Sequence, residues 1–174
     1  MKPRIALMMT LAIAVILIGS ACSKQPSASY KDTVKTALEQ ADLEDVRVSE
    51  DADKNTITLN GTLHSDDAKQ RAEDVAKANG GNRIVVNEVS VQPTGTESEA
   101  RGIASNVDDG IENNYKAALI EKGLDQEHIR FDAKNGVLTL KGSVETPTQR
   151  KEAQLLAQTI PNVQQVLNEI DVKR

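Results

Sequence analysis

The chain has 174 residues, 39% of them hydrophobic, a net charge of −5 and no tryptophan. Tyr30, Tyr115 and Phe131 are its only aromatic side chains, so the core must be built from Val, Ile, Leu and Ala, which argues against aromatic stacking on bases or sugars. Acid is concentrated early: residues 31–93 carry eight Lys or Arg against thirteen Asp or Glu, residues 94–110 one against four, and residues 111–174 nine against nine. The first half would repel nucleic acid and anionic lipid, and a membrane partner is better sought in the neutral second half.

Met1 to Arg4 bring two positive charges, and Ile5 to Ile18 is an apolar run of 14 residues. That run is short for a bilayer span and right for a signal-peptide core, so residues 1–21 read as an export segment. It ends in Gly19-Ser20-Ala21-Cys22, which resembles a bacterial lipobox, although Gly19 stands where Leu is usual. Cys22 is the only cysteine, which suits lipidation better than a disulfide or a metal site. Residues 22–29 then form a lipidated tether; the alternative is an ordinary signal peptide cleaved near Ala21. Ser23 after the cysteine, where Asp would retain a proteobacterial lipoprotein at the inner membrane, points to the periplasmic face of the outer membrane. Without the lipid, the soluble periplasm is expected.

The rest is one unit written twice at an offset of 81. Ala37-Leu38, Thr58-Leu59, Gly61, Ala72, Ala76, Val85, Asn87-Glu88 and Val91 recur as Ala118-Leu119, Thr139-Leu140, Gly142, Ala153, Ala157, Val166, Asn168-Glu169 and Val172. Two small domains follow, at 30–93 and 111–174, joined by a linker at 94–110.

Each copy opens with an amphipathic helix, marked by Val34, Leu38 and Ala41 in the first and by Tyr115, Ala118 and Leu119 in the second. Val46-Arg47-Val48 and Ile129-Arg130-Phe131 alternate as strands with one buried face. Asn135-Gly136 predicts a tight hairpin into Val137-Leu138-Thr139-Leu140, because both residues tolerate positive φ. The second strands run into Gly61 and Gly142, a sign of a bulge or of close backbone approach. Ser65 and Thr146 cap the next helix, the latter with Pro147 at the first position and Gln149 closing a capping box. Ala68, Ala72, Val75 and Ala76, mirrored by Ala153, Leu156, Ala157 and Ile160, give that helix a stripe for lying on a sheet, and Gly80-Gly81 and Pro161-Asn162 stop it. Val85, Val89 and Val91, with Val166, Ile170 and Val172, make the last strands. The class is α+β: each unit is helix, strand, strand, helix, strand, with a three-stranded mixed sheet covered by two helices. Residues 92–112 read either as a flexible linker or, through Ala100, Ile103, Ala104 and Val107, as a helical segment that docks one domain on the other.

Catalytic and metal settings are weak. His64 and His128 fall at non-equivalent points of the two copies and read as exposed loop residues. No Gly-x-Ser-x-Gly or comparable nucleophile setting occurs. Asp51-Ala52-Asp53-Lys54-Asn55 opens like a calcium loop, but Thr56 and Thr62 stand where Gly and a bidentate Glu are needed, so a polar turn is the better reading. No enzyme activity, cofactor, metal or small-molecule substrate is expected.

The whole pattern resembles the BON domain family, whose features include a strand ending Leu-x-Gly, a helix with spaced Ala, and a final Val-x-Asn-x-Val/Ile-x-Val. Here these are Leu59-Asn60-Gly61 with Val85 to Val91, and Leu140-Lys141-Gly142 with Val166 to Val172. The resemblance implies tandem BON domains that attach to membranes and bind phospholipid in support of envelope integrity under osmotic stress, without catalysis. In the lipoprotein branch the first helix of the second domain touches lipid, which implies contacts at Ile111, Tyr115 and Lys116, although Glu112 weakens the attraction to anionic headgroups and Tyr115 aligns with the core position Val34. The competing reading is a periplasmic protein-interaction module, with the acidic first domain and the sheet edges engaging other envelope proteins.

Overall fold

The computed structural model describes residues 29–173. Helix α1 (Lys31–Gln40) buries Val34 and Leu38, but Tyr30 at its N-cap offers it no side-chain bond. The cap comes from strand β1 (Val46–Asp51): Glu50 Oε2 accepts from Ser29 Oγ at 2.9 Å, Tyr30 N at 3.0 Å and Lys31 N at 3.2 Å, satisfying otherwise orphaned helix donors. At the polar turn that follows, Asp51 Oδ1 accepts from the Asp53 and Lys54 amides, and Asn55 takes φ 57°.

Strand β2 (Thr56–Leu63) pairs antiparallel with β1 and parallel with β3 (Ile84–Asn87), so β2 is central. Opposite Val46, Gly61 has φ 146°, and a Cβ there would collide with the Asp45 carbonyl; Gly142 has φ 110° and stands in the same relation to His128. The close approach read from these two glycines is thus real, and no other residue fits. Helix α2 (Asp66–Asn79) is capped by Ser65 Oγ, which accepts from Ala68 N, and it lies on the sheet through Ala72 and Ala76. The expected last strand is split: β4 (Ser90–Val91) continues the pairing with β2 after an interruption at Glu88 and Val89.

The second unit repeats this. Strands β5 (His128–Lys134) and β6 (Val137–Val144) meet at a two-residue turn in which Asn135 and Gly136 both take positive φ. Helix α4 (Pro147–Thr159) carries the complete Thr146/Gln149 capping box. Strand β7 (Gln165–Val172) runs unbroken and parallel to β6, giving the order β5-β6-β7. His128 is therefore the first residue of a strand and not a loop side chain.

One expectation changes. Helix α3 runs without a break over Glu97–Glu121, 25 residues, so the stretch read as a linker is mostly helix and is continuous with the helix that opens the second unit. Its first half packs against β4, and Asp108 accepts from the Asn135 and Gly136 amides of the second hairpin. The helical reading is realised and the docking in part: Ala104 and Val107 sit beside Val89 and Val91, whereas Ile103 stays 64% exposed.

The two units share a seam. Val86 and Val137 are buried, yet neither belongs to the core of its own unit. Gln165 Nε2 donates to Val85 O at 2.7 Å and its Oε1 accepts from Asn87 N at 3.3 Å, so one side chain takes the place of a pairing strand on the outer edge of β3. Lys134 Nζ reaches Asn60 Oδ1 at 2.6 Å and Glu88 Oε2 at 2.7 Å, while Asn135 Nδ2 donates to Glu88 O at 2.8 Å. These bonds draw on Glu88, where the strand is interrupted. Lys54 meets Glu169 at 2.7 Å, and Lys69 Nζ donates to Asn135 O at 3.1 Å. Burial lowers the Lys69 ammonium below the usual lysine range, opposed by Asp66, Glu73 and Asp108.

Candidate functional site

The residues that carry the repeat are structural. Asn87 Nδ2 donates to Lys69 O at 3.0 Å and Glu73 Oε2 at 3.1 Å, and its Oδ1 accepts from Val89 N. Asn168 makes the same set with Arg150 O, Gln154 Oε1 and Ile170 N. Each Asn ties the last strand to the helix covering it, a role only a short amide carrying both donor and acceptor can fill. With Asn87 3% exposed, its loss would leave the Val89 amide unpaired, at a cost of about 1–3 kcal/mol.

Of the three lipid-contact residues implied by the resemblance, the packing leaves one at the surface. Ile111 is 1% exposed and Tyr115 fully buried, both in the second core, and Tyr115 meets Phe131 edge-on at 5.1 Å between ring centroids. Its hydroxyl donates to Ala153 O at 3.1 Å, and burial pushes the phenol well above its ordinary value. Tyr115 occupies the place of Val34 in the repeat, and that equivalence signals core. Lys116 is exposed. Cys22 lies outside the described residues.

Sequence reading missed the neighbour one turn on. Ile120 is 55% exposed on the same helix face as Lys116, at i and i+4, and both border an open groove of about 430 Å³ with Leu119, Leu124, Ile129 and Phe131. The signal was present, since an Ile among Lys116, Glu121 and Lys122 interrupts the polar face of the helix. On the side of the sheet away from the helices, His128, Arg130 and Lys173 border a second open depression together with Ser143.

Among the described residues no three His, Cys, Asp or Glu side chains converge as a metal set, and no helix is long and apolar enough to cross a membrane. His64 is anchored with Nδ1 2.9 Å from Gln92 O.

Osmotically-inducible protein Y of Escherichia coli strain K12 is 27% identical over 142 residues, covering 80% of this chain and 69% of that protein. Two solved structures of CdsD, a structural protein of the type III secretion system of Chlamydia trachomatis, one of them its C-terminal domain, align with a TM-score of 0.34 and 11% identity. The alignments cover 82% and 83% of this chain but only 64% and 61% of those chains. The BON domain description matches residues 28–93 and 107–174, each span containing one copy of the repeat, and the chain therefore belongs to the BON domain family as a tandem of two such domains.

Proposed function

We propose that this protein is a non-catalytic component of the bacterial cell envelope that rests on phospholipid through the second half of α3, is held there by a lipid on Cys22, and supports the envelope under osmotic stress. The export segment with its lone cysteine supports the location, and the similarity to an osmotically inducible protein supports the setting. The observation that carries the contact is the Lys116–Ile120 face. An apolar side chain 55% exposed, one turn from a lysine, can sink into the acyl boundary while the ammonium stays among headgroups. A single acyl chain binds marginally, so a second contact makes attachment durable. Ile111 and Tyr115 serve this face from beneath by fixing the helix on its sheet.

The test is co-sedimentation of residues 24–174, without the anchor, with vesicles of phosphatidylglycerol and of phosphatidylcholine. Binding to the anionic vesicles is expected, with a loss of roughly tenfold or more in a Lys116→Glu, Ile120→Asp variant, and no loss in Tyr115→Phe. Equal binding by the parent and the charged variant would overturn the site. In cells, Cys22→Ser should move the protein from the membrane fraction to the soluble fraction at high salt.

A further inference from the structure

We infer that the outer edge of β5 is a docking site for an extended segment of a partner protein whose side chains alternate apolar and acidic. This inference is separate from the lipid reading, although the two surfaces adjoin at Ile120.

The register fixes which backbone groups are free. A two-residue hairpin makes Lys134 and Val137 a hydrogen-bonded pair, so the amides and carbonyls of His128, Arg130, Asp132 and Lys134 turn toward β6, and those of Ile129, Phe131 and Ala133 turn outward. Glu112 agrees with this geometry: its Oε1 accepts from Ala133 N at 2.9 Å. Exposed strand edges invite pairing, and folds usually close them. Here Arg150 closes β7, donating to Ile170 O at 2.7 Å and Asn168 O at 3.3 Å, and Gln165 closes β3. Glu112 closes one end of β5. The outward groups of Ile129 and Phe131 have no such side-chain cap among the described residues.

Both flanks of that open stretch say what would fit. On the helix side an added strand would set alternate side chains into the groove of Leu119, Ile120, Leu124 and Phe131, whose apolar walls select apolar residues there while Lys116, Asp125 and Glu127 also line it and disfavour acids on this flank. On the other side its remaining side chains would meet Arg130, which stands directly across from Lys141. Like charges so placed destabilise a sheet. Neither forms an ion pair among the described residues, and Glu169, the other strand neighbour of Lys141, is held by Lys54. Acidic side chains at alternate positions would relieve this repulsion. Asp132 shares this face two residues from Arg130, and the acids that β1 of a second copy could bring, Glu50 and Asp51, are engaged within their own unit, so a partner segment that brings its own acids beside Arg130 is the better match.

The probe is a fluorescein-labelled, C-amidated peptide Thr-Val-Asp-Val-Glu-Val-Thr, titrated against residues 24–174. Its controls are the same peptide with Lys for Asp and Glu, and one N-methylated at alternate amides. The acidic peptide should bind roughly tenfold or more tightly than either control, and Arg130→Glu should weaken it by a similar factor. At saturation the Ile129 and Phe131 amides should gain hydrogen-exchange protection, while those of Arg130 and Asp132, already bonded to β6, stay unchanged. Arg130 lies off the α3 face, so Arg130→Glu should leave vesicle binding intact; failure of the peptide alone and failure of the lipid face alone are thereby distinguished. Equal binding of the acidic and basic peptides, or no added protection at Ile129 and Phe131, would overturn the inference. So would protection of these amides by phosphatidylglycerol vesicles but not by the peptide, which would make the edge a membrane contact.

Discussion

Glu50 shows how one side chain can hold the start of a helix in place. Burial works against its charge, but the donors Ser29, Lys31 and Tyr30, with Arg83, outweigh that and hold the carboxyl below the usual range. Arg83 Nη2 stands 2.8 Å from Glu50 Oε1 without hydrogen-bond alignment, and its guanidinium lies 5.6 Å from the Tyr30 ring centroid. Because the native value lies below the unfolded one, the stability Glu50 contributes is complete above the ordinary 4.5 and is lost as pH falls through the native value. Glu50→Gln should therefore flatten the acid limb of a plot of Tm against pH. At pH 7 it should also cost on the order of 3 kcal/mol, since Arg83, 7% exposed, loses its counter-charge. An acid limb unchanged in the variant would show that other carboxylates set it. None of this was legible beforehand, because Glu50 and Tyr30 are distant in sequence and no periodicity links them.

At the scale of elements, α3 is the departure from the repeat. Its first copy counterpart, α1, has ten residues, and the extra length in α3 includes Ser98, Gly102, Ser105, Asn106, Asp108, Asp109 and Gly110, which discourage a helix on their own. Packing on β4 and the Asp108 bonds to the second hairpin supply what propensity does not. Gly102 and Gly110 sit in this helix with open space where a Cβ would be. Gly110→Ala should then stabilise the protein by about 0.5–1 kcal/mol, through helix propensity alone. Urea denaturation followed by circular dichroism checks this, and a loss of stability would mean that the helix needs to bend there. The other elements were readable, because alternation in strands, the Asn-Gly turn and the Thr146 capping box are local signals whose physics needs no partner.

Across the whole molecule, the seam decides which surfaces remain. Gln165 occupies the edge of β3, the second hairpin grips Glu88, and Val86 and Val137 are covered between the units. Docking thus removes part of the open face of the second sheet and leaves the Arg130–Lys141 end and the edge of β5 exposed. Gln165→Ala should speed exchange of the Asn87 amide roughly tenfold, the loss of about one hydrogen bond, and should raise aggregation through the freed edge. Unchanged exchange at Asn87 would mean that the amide is shielded by the seam as a whole and not by that side chain.

The sequence by itself determined the duplicated unit, its α+β class, the order of its elements, the two glycines of close approach and the membership in the BON family, because each is written in short-range patterns or in a repeat of 81 residues. It also held the clue that Tyr115 is core, in its alignment with Val34. Only the tertiary structure decided that 97–121 is one helix, that the units dock, that Ile111 and Tyr115 face inward, and that Lys116 shares its exposed face with Ile120. These are matters of which surface covers which, and burial depends on neighbours distant in sequence that no local pattern names.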